Sequence, residues 1–250
     1  MSTLLILLRK ELKSFIYNPF GWVVVAAVTL ANGVGISTAM KGFVDTPSQD
    51  SLTFVTFHSP VFWFWFLFIF PLITMRLFAE EEKTGTLETL LTAPVRTWQV
   101  VGSKYLAALV FFCLAWLPTL IQFHLFGWVA DFPDAWTPGE MGATYLILFL
   151  MGAAFTAVGC FASALTSSQI IAGLLTLAFL MLLYFIGYVP VIWGGSFRGV
   201  GIFDYISCQN HLATFAKGWI DTKPVVYYLT LAATVLFLTY QVVDYRRWKR

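Results

Sequence analysis

Apolar runs set the plan of this chain. A bilayer core of about 30 Å is crossed by about 20 apolar residues in a helix. Five stretches free of Asp, Glu, Lys and Arg approach or exceed that length: Phe20 to Met40, Ser51 to Met75 (apolar core from Val61), Tyr105 to Ala130, Met141 to Phe197 and Pro224 to Val243. The fourth is far too long for one crossing. It must hold two, and the polar stretch Thr166-Ser167-Ser168-Gln169 is the natural turn between them. The pattern therefore predicts an all-α membrane protein forming one domain over 1–250, with six spans at about 20–40, 58–78, 104–129, 142–165, 169–193 and 224–244.

The segments between the runs carry their own patterns. In residues 1–18, Leu5, Leu8, Leu12 and Ile16 share one helical face while Arg9, Lys10 and Lys13 look elsewhere. This predicts an interfacial amphipathic helix on the membrane surface. Asn18-Pro19 ends it, because a residue before proline avoids the helical region. A cleaved signal peptide would also place basic residues before an apolar run, but this run is full length and Asn32 to Ala39 offers no convincing cleavage site. The second span is crowded with aromatics, Phe62 to Phe66 with Phe68 and Phe70, which suits either packing bulk or an aromatic wall along a cargo path.

Two polar segments stand out. Residues 79–98 hold Glu80, Glu81 and Glu82, then Gly85, then Thr86 with Glu88 and Leu90, and Pro94 soon after. A Thr86 hydroxyl can cap a short helix, and Glu88 suits its positive end. The result is a short helix held between two spans, expected to dock a cytoplasmic partner. Residues 194–223 are too apolar for a free loop, with Phe203, Tyr205, Leu212, Phe215, Trp219 and Ile220. They are expected to form short helices dipping into the outer leaflet as a re-entrant hairpin, where irregular backbone needs cover from protein or a cavity.

Charge adds orientation. Only 11% of residues are charged against 59% hydrophobic, and mean hydropathy is +0.78. That is well below the roughly 25% charge of a soluble domain. With both termini inside, eleven Lys and Arg fall on the inner side and four on the outer, where Asp45, Asp50, Asp131, Asp134, Glu140, Asp204 and Asp221 collect. Excess Lys and Arg marks cytoplasmic loops, so both ends are expected in the cytoplasm of a bacterial inner membrane.

The chemistry of catalysis is not signalled. There is no GxxxxGK[ST] phosphate loop, no HExxH, GxSxG or paired-carboxylate motif, and no CxxC among Cys113, Cys160 and Cys208. His58, His124 and His211 fall near the outer face on separate elements, which suits interfacial residues better than a metal site. No acid or base falls within the apolar core of the spans, where ion-coupled carriers and pumps usually place their relays. The chain is thus expected to bind no metal or cofactor and no nucleic acid, to catalyse nothing itself, and to take its energy from another subunit.

Two stretches resemble the type-2 ABC transporter permeases, and the resemblance spans essentially the whole chain. EEEKTGTLETLLTAPVRTWQVVGSK is similar to that family's coupling-helix pattern, and SCQNHLATFAKGWIDTKPVVYYL to its pattern before the last span. In the second, His211, Phe215, Gly218, Ile220, Asp221, Tyr227 and Tyr228 match, and Leu212 replaces a usual phenylalanine. The motifs look most like the gliding-motility permease branch, which is related to the nitrous-oxide-reductase maturation permeases. The resemblance implies an exporter subunit that pairs with a second permease. That permease is either a copy of itself or a related subunit with an extracytoplasmic domain. A dimer of ABC ATPase subunits carrying ATP and Mg docks below, through Glu80, Glu81, Glu82, Thr86, Glu88 and Leu90. It also implies a role for the outer motif His211, Phe215, Gly218 and Asp221. The competing readings are a non-transporting membrane scaffold and an ion-coupled secondary transporter.

Overall fold

The computed structural model describes residues 3–45, 51–87, 90, 95–129, 137–189 and 200–248. Among them eleven helices are delimited: α1 (Thr3–Tyr17), α2 (Pro19–Asp45), α3 (Leu52–His58), α4 (Pro60–Thr74), α5 (Ala79–Lys83), α6 (Thr97–Val129), α7 (Pro138–Leu165), α8 (Gln169–Ile186), α9 (Val200–Ile206), α10 (Cys208–Ala216) and α11 (Thr222–Trp248). Six stretches are long and apolar enough to cross a membrane: 19–42, 60–83, 97–129, 138–165, 169–186 and 222–246. The protein is all-helical and multi-pass.

Local chemistry explains where the helices begin. Ser51, Ser59, Thr137 and Ser207 each accept a hydrogen bond from the backbone N–H three residues on, satisfying a donor that the first turn leaves orphaned. Pro60 and Pro138 follow two of these caps, where a missing N–H costs nothing. Asn18 Oδ1 accepts from Phe20 N at 3.0 Å and breaks the chain between α1 and α2.

Packing centres on α7. It lies against α11, α8, α10, α6 and α4, and much of its length is the small-residue run Gly152 to Ala164. Without a hydrophobic driving force between helices in lipid, small residues let backbones approach closely. Side chains at Gly152 and Gly159 would overlap Phe112 and Thr74 respectively. Aromatics of α4 fill the space beside this seam: Phe70 stacks on Phe112 at 5.3 Å, and Phe66 sits edge-on to Trp116 at 5.9 Å. The crowded aromatic run of the sequence thus divides. Phe62, Trp63, Phe66 and Phe70 are core, while Phe64 and Trp65 face outward.

The most open helices are α8 and α11. Ile170, Leu174, Leu182, Leu229 and Phe237 are all more than half exposed, a surface for which lipid is the suitable solvent. Two amide side chains pair across neighbouring spans inside the bundle: Asn32 Nδ2 donates to Gln122 Oε1 at 2.8 Å, and Gln122 Nε2 to the Thr29 carbonyl at 2.9 Å.

Two expectations shift in detail. The predicted apolar stripe of α1 is split: Leu8 and Leu12 are partly covered, but Leu5 and Ile16 are exposed. The covered face instead carries Glu11 and Phe15, the latter stacked on Phe111 of α6 at 4.8 Å. Helix α6 starts at Thr97, almost two turns before the expected start at 104, so Lys104 lies inside the helix and not at its first position.

Candidate functional site

The basic end of the bundle brings α1, α5, α6 and α11 together. Helix α5 is one and a half turns of AEEEK, and each of its three acids meets a different partner. Glu80 receives Arg76 in a forked contact, Nε at 3.0 Å and Nη2 at 3.4 Å. Glu82 Oε2 lies 2.8 Å from Arg246 Nη1, on the last turns of α11. Glu81 Oε1 lies 2.9 Å from Lys104 Nζ on α6 and 3.4 Å from Lys10 Nζ on α1.

Lys104 is the centre of this arrangement. Its side chain is 2% exposed, and it also reaches Glu11 Oε1 at 3.2 Å. Phe78 places its ring 5.5 Å from the ammonium. A charge this deep is tolerated only because carboxylates and a ring face surround it. Lys10 closes the group from outside, 3.5 Å from Glu11. Partial burial disfavours its charged form, but the Glu11 and Glu81 carboxylates outweigh that and hold it above the ordinary lysine value.

The chain reaches α5 through a turn at 75–78 that Ser163 of α7 organises. Its Oγ accepts from Phe78 N at 3.0 Å and Ala79 N at 3.2 Å, and lies 3.3 Å from the Met75 carbonyl as a donor. The hydroxyl therefore serves three backbone groups that neither α4 nor α5 can satisfy alone. Beyond α5, Thr84 donates to the Glu80 carbonyl at 2.9 Å, and Gly85 turns the chain at φ +71°, where a residue without Cβ is favoured. Thr86 Oγ1 is 2.9 Å from Thr84 Oγ1 and 3.4 Å from the Glu81 carbonyl. Leu87 is fully covered and Leu90 half-covered. Glu88 lies outside the described residues.

From the sequence, Glu80, Glu81 and Glu82 could pair with basic residues on an ATPase subunit. Within the chain they are engaged by Arg76, Lys10, Lys104 and Arg246. Glu11, Lys104 and Ser163 were not singled out. The first two carried a signal: Glu11 is the one acid in α1, and Lys104 is the one charge between Thr97 and Val129.

The opposite end gathers the second motif. α10 packs on α7 and α3, with Phe215 completely buried. His211 Nδ1 is 3.2 Å from the Tyr228 hydroxyl. Burial drives the His211 pKa down to about 4, against raising influences from the Tyr205 backbone and Asp221, so the ring is neutral at pH 7. Burial likewise pushes the Cys208 thiol up to about 11, leaving it unreactive. Gly218 ends α10 at φ +80°. Asp221 Oδ1 accepts from Lys223 N at 3.0 Å and starts α11. These four motif residues are spread over one helix and the turn after it: His211 meets Tyr228 of α11, Phe215 is buried where α10 packs on α7 and α3, and His211 and Asp221 line a cavity of about 280 Å³ with Tyr205 and Lys223. Residues 194–199 of the expected hairpin lie outside the described residues, and α9 and α10 supply two short helices in the remainder.

No curated protein matches the chain. A family model does, over residues 5–243, and its description is ABC-2 family transporter protein.

Proposed function

The chain belongs to the ABC-2 transporter family, and we propose that it is the permease subunit of an exporter driven by ATP bound with magnesium on a separate ATPase dimer. Helix α5 and the residues after it, through Thr86, Glu88 and Leu90, form the coupling element that the ATPase grips. The two termini and this element face the cytoplasm of a bacterial inner membrane. The permease works paired, with a second copy or with a related subunit carrying an extracytoplasmic domain. The outer motif favours the gliding-motility branch for its relatives; participation in gliding does not follow from it.

The observation that carries this reading is the spread of ion pairs from one short helix. Five residues of α5 connect to α1, α6 and α11 and, through Ser163, to α7. A rigid segment with that many attachments passes a push at one surface to four membrane elements together. Within it the acids have a role unlike the simple one of reaching for the ATPase: they transmit and Lys83, Thr84 and Thr86, which are exposed, make the contact.

The test is co-purification with the ATPase encoded beside this chain, with Lys83→Cys used for cross-linking to it. A stable complex that cross-links at position 83 and loosens on nucleotide addition supports the assignment. A complex that forms but never cross-links there removes the docking site. The absence of any complex removes ATP-driven transport and favours a scaffold or an ion-coupled carrier. Reversing Glu80 to Glu82 is a poorer probe, since it also breaks four contacts inside the permease.

A further inference from the structure

A cavity of about 250 Å³ opens at the basic end, between α1, the first turn of α2, the end of α4 and α5. A single water needs about 10–15 Å³, so the space suits a molecule. One side of it is apolar, with Phe20, Leu72 and Ile73 from the ends of two spans. The other carries three cations, Lys10, Arg76 and Lys104, and three anions, Glu11, Glu80 and Glu81. These charges sum to zero, so the lining neither attracts an anion nor a cation as such. It suits a ligand that carries both signs.

The pairing inside the cavity indicates which sign goes where. Glu81 Oε2 is buried without a hydrogen-bond partner among the described residues, although Oε1 of the same carboxylate serves two lysines. A buried carboxylate oxygen left so is costly, and what it lacks is a donor. Lys10 and Arg76, by contrast, remain partly exposed, at 59% and 33%, and carry more N–H groups than their carboxylates use. They can serve an acceptor. The height in the membrane is set by chain neighbours: Tyr17 and Trp22, next in sequence to the lining residues Asn18 and Gly21, are exposed, and Trp22 Nε1 donates to the Ile16 carbonyl at 2.9 Å. Exposed Trp and Tyr belong at the level of lipid headgroups.

We propose that this cavity binds the headgroup of an aminophospholipid. The primary ammonium donates to the Glu81 carboxylate, whose Oε2 turns out of its covered position to meet it, the phosphodiester accepts from Lys10 and Arg76, and the acyl chains leave along Phe20 and Leu72. The site is a property of the permease alone and does not depend on the ATPase reading.

The experiment is native mass spectrometry of the full chain from vesicles holding equal phosphatidylethanolamine, phosphatidylcholine and phosphatidylglycerol of one acyl composition. A charge-assisted hydrogen bond is worth roughly 1.5–3 kcal/mol, so the ethanolamine lipid is expected to be retained about tenfold over the choline lipid, whose headgroup cannot donate. Glu81→Gln should abolish that preference. Ser14→Phe, which fills the cavity and leaves every ion pair in place, should do so as well, and it decides the matter if the first variant does not fold. Equal retention of the three lipids overturns the proposal, as does a preference that survives Ser14→Phe. Competition by soluble glycerophosphoethanolamine as effective as the lipid itself would keep the zwitterion chemistry and overturn the membrane as its source. If Glu81→Gln weakens ATPase capture and leaves lipid retention unchanged, the carboxylate serves the other subunit and the proposal fails.

Discussion

Lys104 Nζ lies 2.9 Å from Glu81 Oε1, which joins a five-residue helix to the third span through an ammonium that is almost wholly out of water. The same ammonium holds Glu11 at 3.2 Å, so α1, α5 and α6 meet at one atom. Such a contact contributes little net stability when intact, because desolvation offsets the attraction, yet it is expensive to break from one side.

Lys104→Met should therefore cost roughly 3 kcal/mol, the lower end of what breaking a buried pair costs, since Glu11 and Glu81 lose their buried partner and keep only the more exposed Lys10. Glu81→Gln combined with Lys104→Met should recover part of that loss. Chemical denaturation of the single and double variants in detergent gives the cycle. Strictly additive effects would show that the two groups are not coupled.

The seam between α4 and α7 leaves no room for a side chain at Gly159, where a Cβ would overlap Thr74. Gly159→Ala is expected to destabilise by about 1–3 kcal/mol through overpacking, and Gly159→Leu to prevent insertion of a folded monomer. Gly142, with nothing near its Cβ position, is the control and should accept alanine without loss. Thermal midpoints of the purified variants measure both.

The pH dependence at the other end has a definite sign. His211 binds its proton less readily folded, at about 4, than unfolded, near the ordinary 6.5. The unfolded chain thus takes up the proton first as pH falls. The contribution of neutral His211 is fully present above 6.5 and is lost progressively between 6.5 and about 4. The size is on the order of 1–3 kcal/mol. A His211→Gln variant should show a flatter melting-temperature profile over that range. An unchanged slope would place the acid sensitivity elsewhere.

Arg246 reaches Glu82 at 2.8 Å while Asp244, two residues earlier, accepts from Thr97 at 2.8 Å. The last turns of α11 are thereby connected to both α5 and the start of α6. Arg246→Glu should lower permease-dependent stimulation of the ATPase by roughly threefold to fivefold, the equivalent of a partly exposed pair worth up to about 1 kcal/mol. Adding Glu82→Arg should restore it. Failure of the swap to rescue, with folding intact, would remove this pair from the transmission path.

Much of the fold was readable because lipid imposes a coarse rule. A span needs a long apolar run, and such runs survive inspection without any knowledge of contacts. The break at Thr166–Ser168 was visible for the same reason, as polar residues inside an otherwise unbroken run. The interior of the basic end was not. Glu81 meets partners at positions 10 and 104, and Glu82 meets one at 246, separations over which periodicity carries no information. An acidic triplet before a glycine reads as a solvated surface until its neighbours are known. Lys104 escaped notice because it borders an apolar run, at the expected first position of the third span. Ser163 was hidden in a run of small residues, where its hydroxyl looks like one more small side chain. His211 and Phe215 were found through the motif, but only the packing of α10 shows both of them buried, His211 beside the Tyr228 hydroxyl.

The Ser163 hydroxyl also decides what can pivot on what. It terminates α4 and begins α5 from a neighbouring helix, so the corner between the two has its pin on α7. One turn before it, Gly159 leaves no gap against Thr74. Any tilt of α5 would therefore load α7 at that corner as well as the end of α4. Helices α4 and α7 are joined both at that corner and along the seam at Gly159, so a displacement of one is resisted by the other.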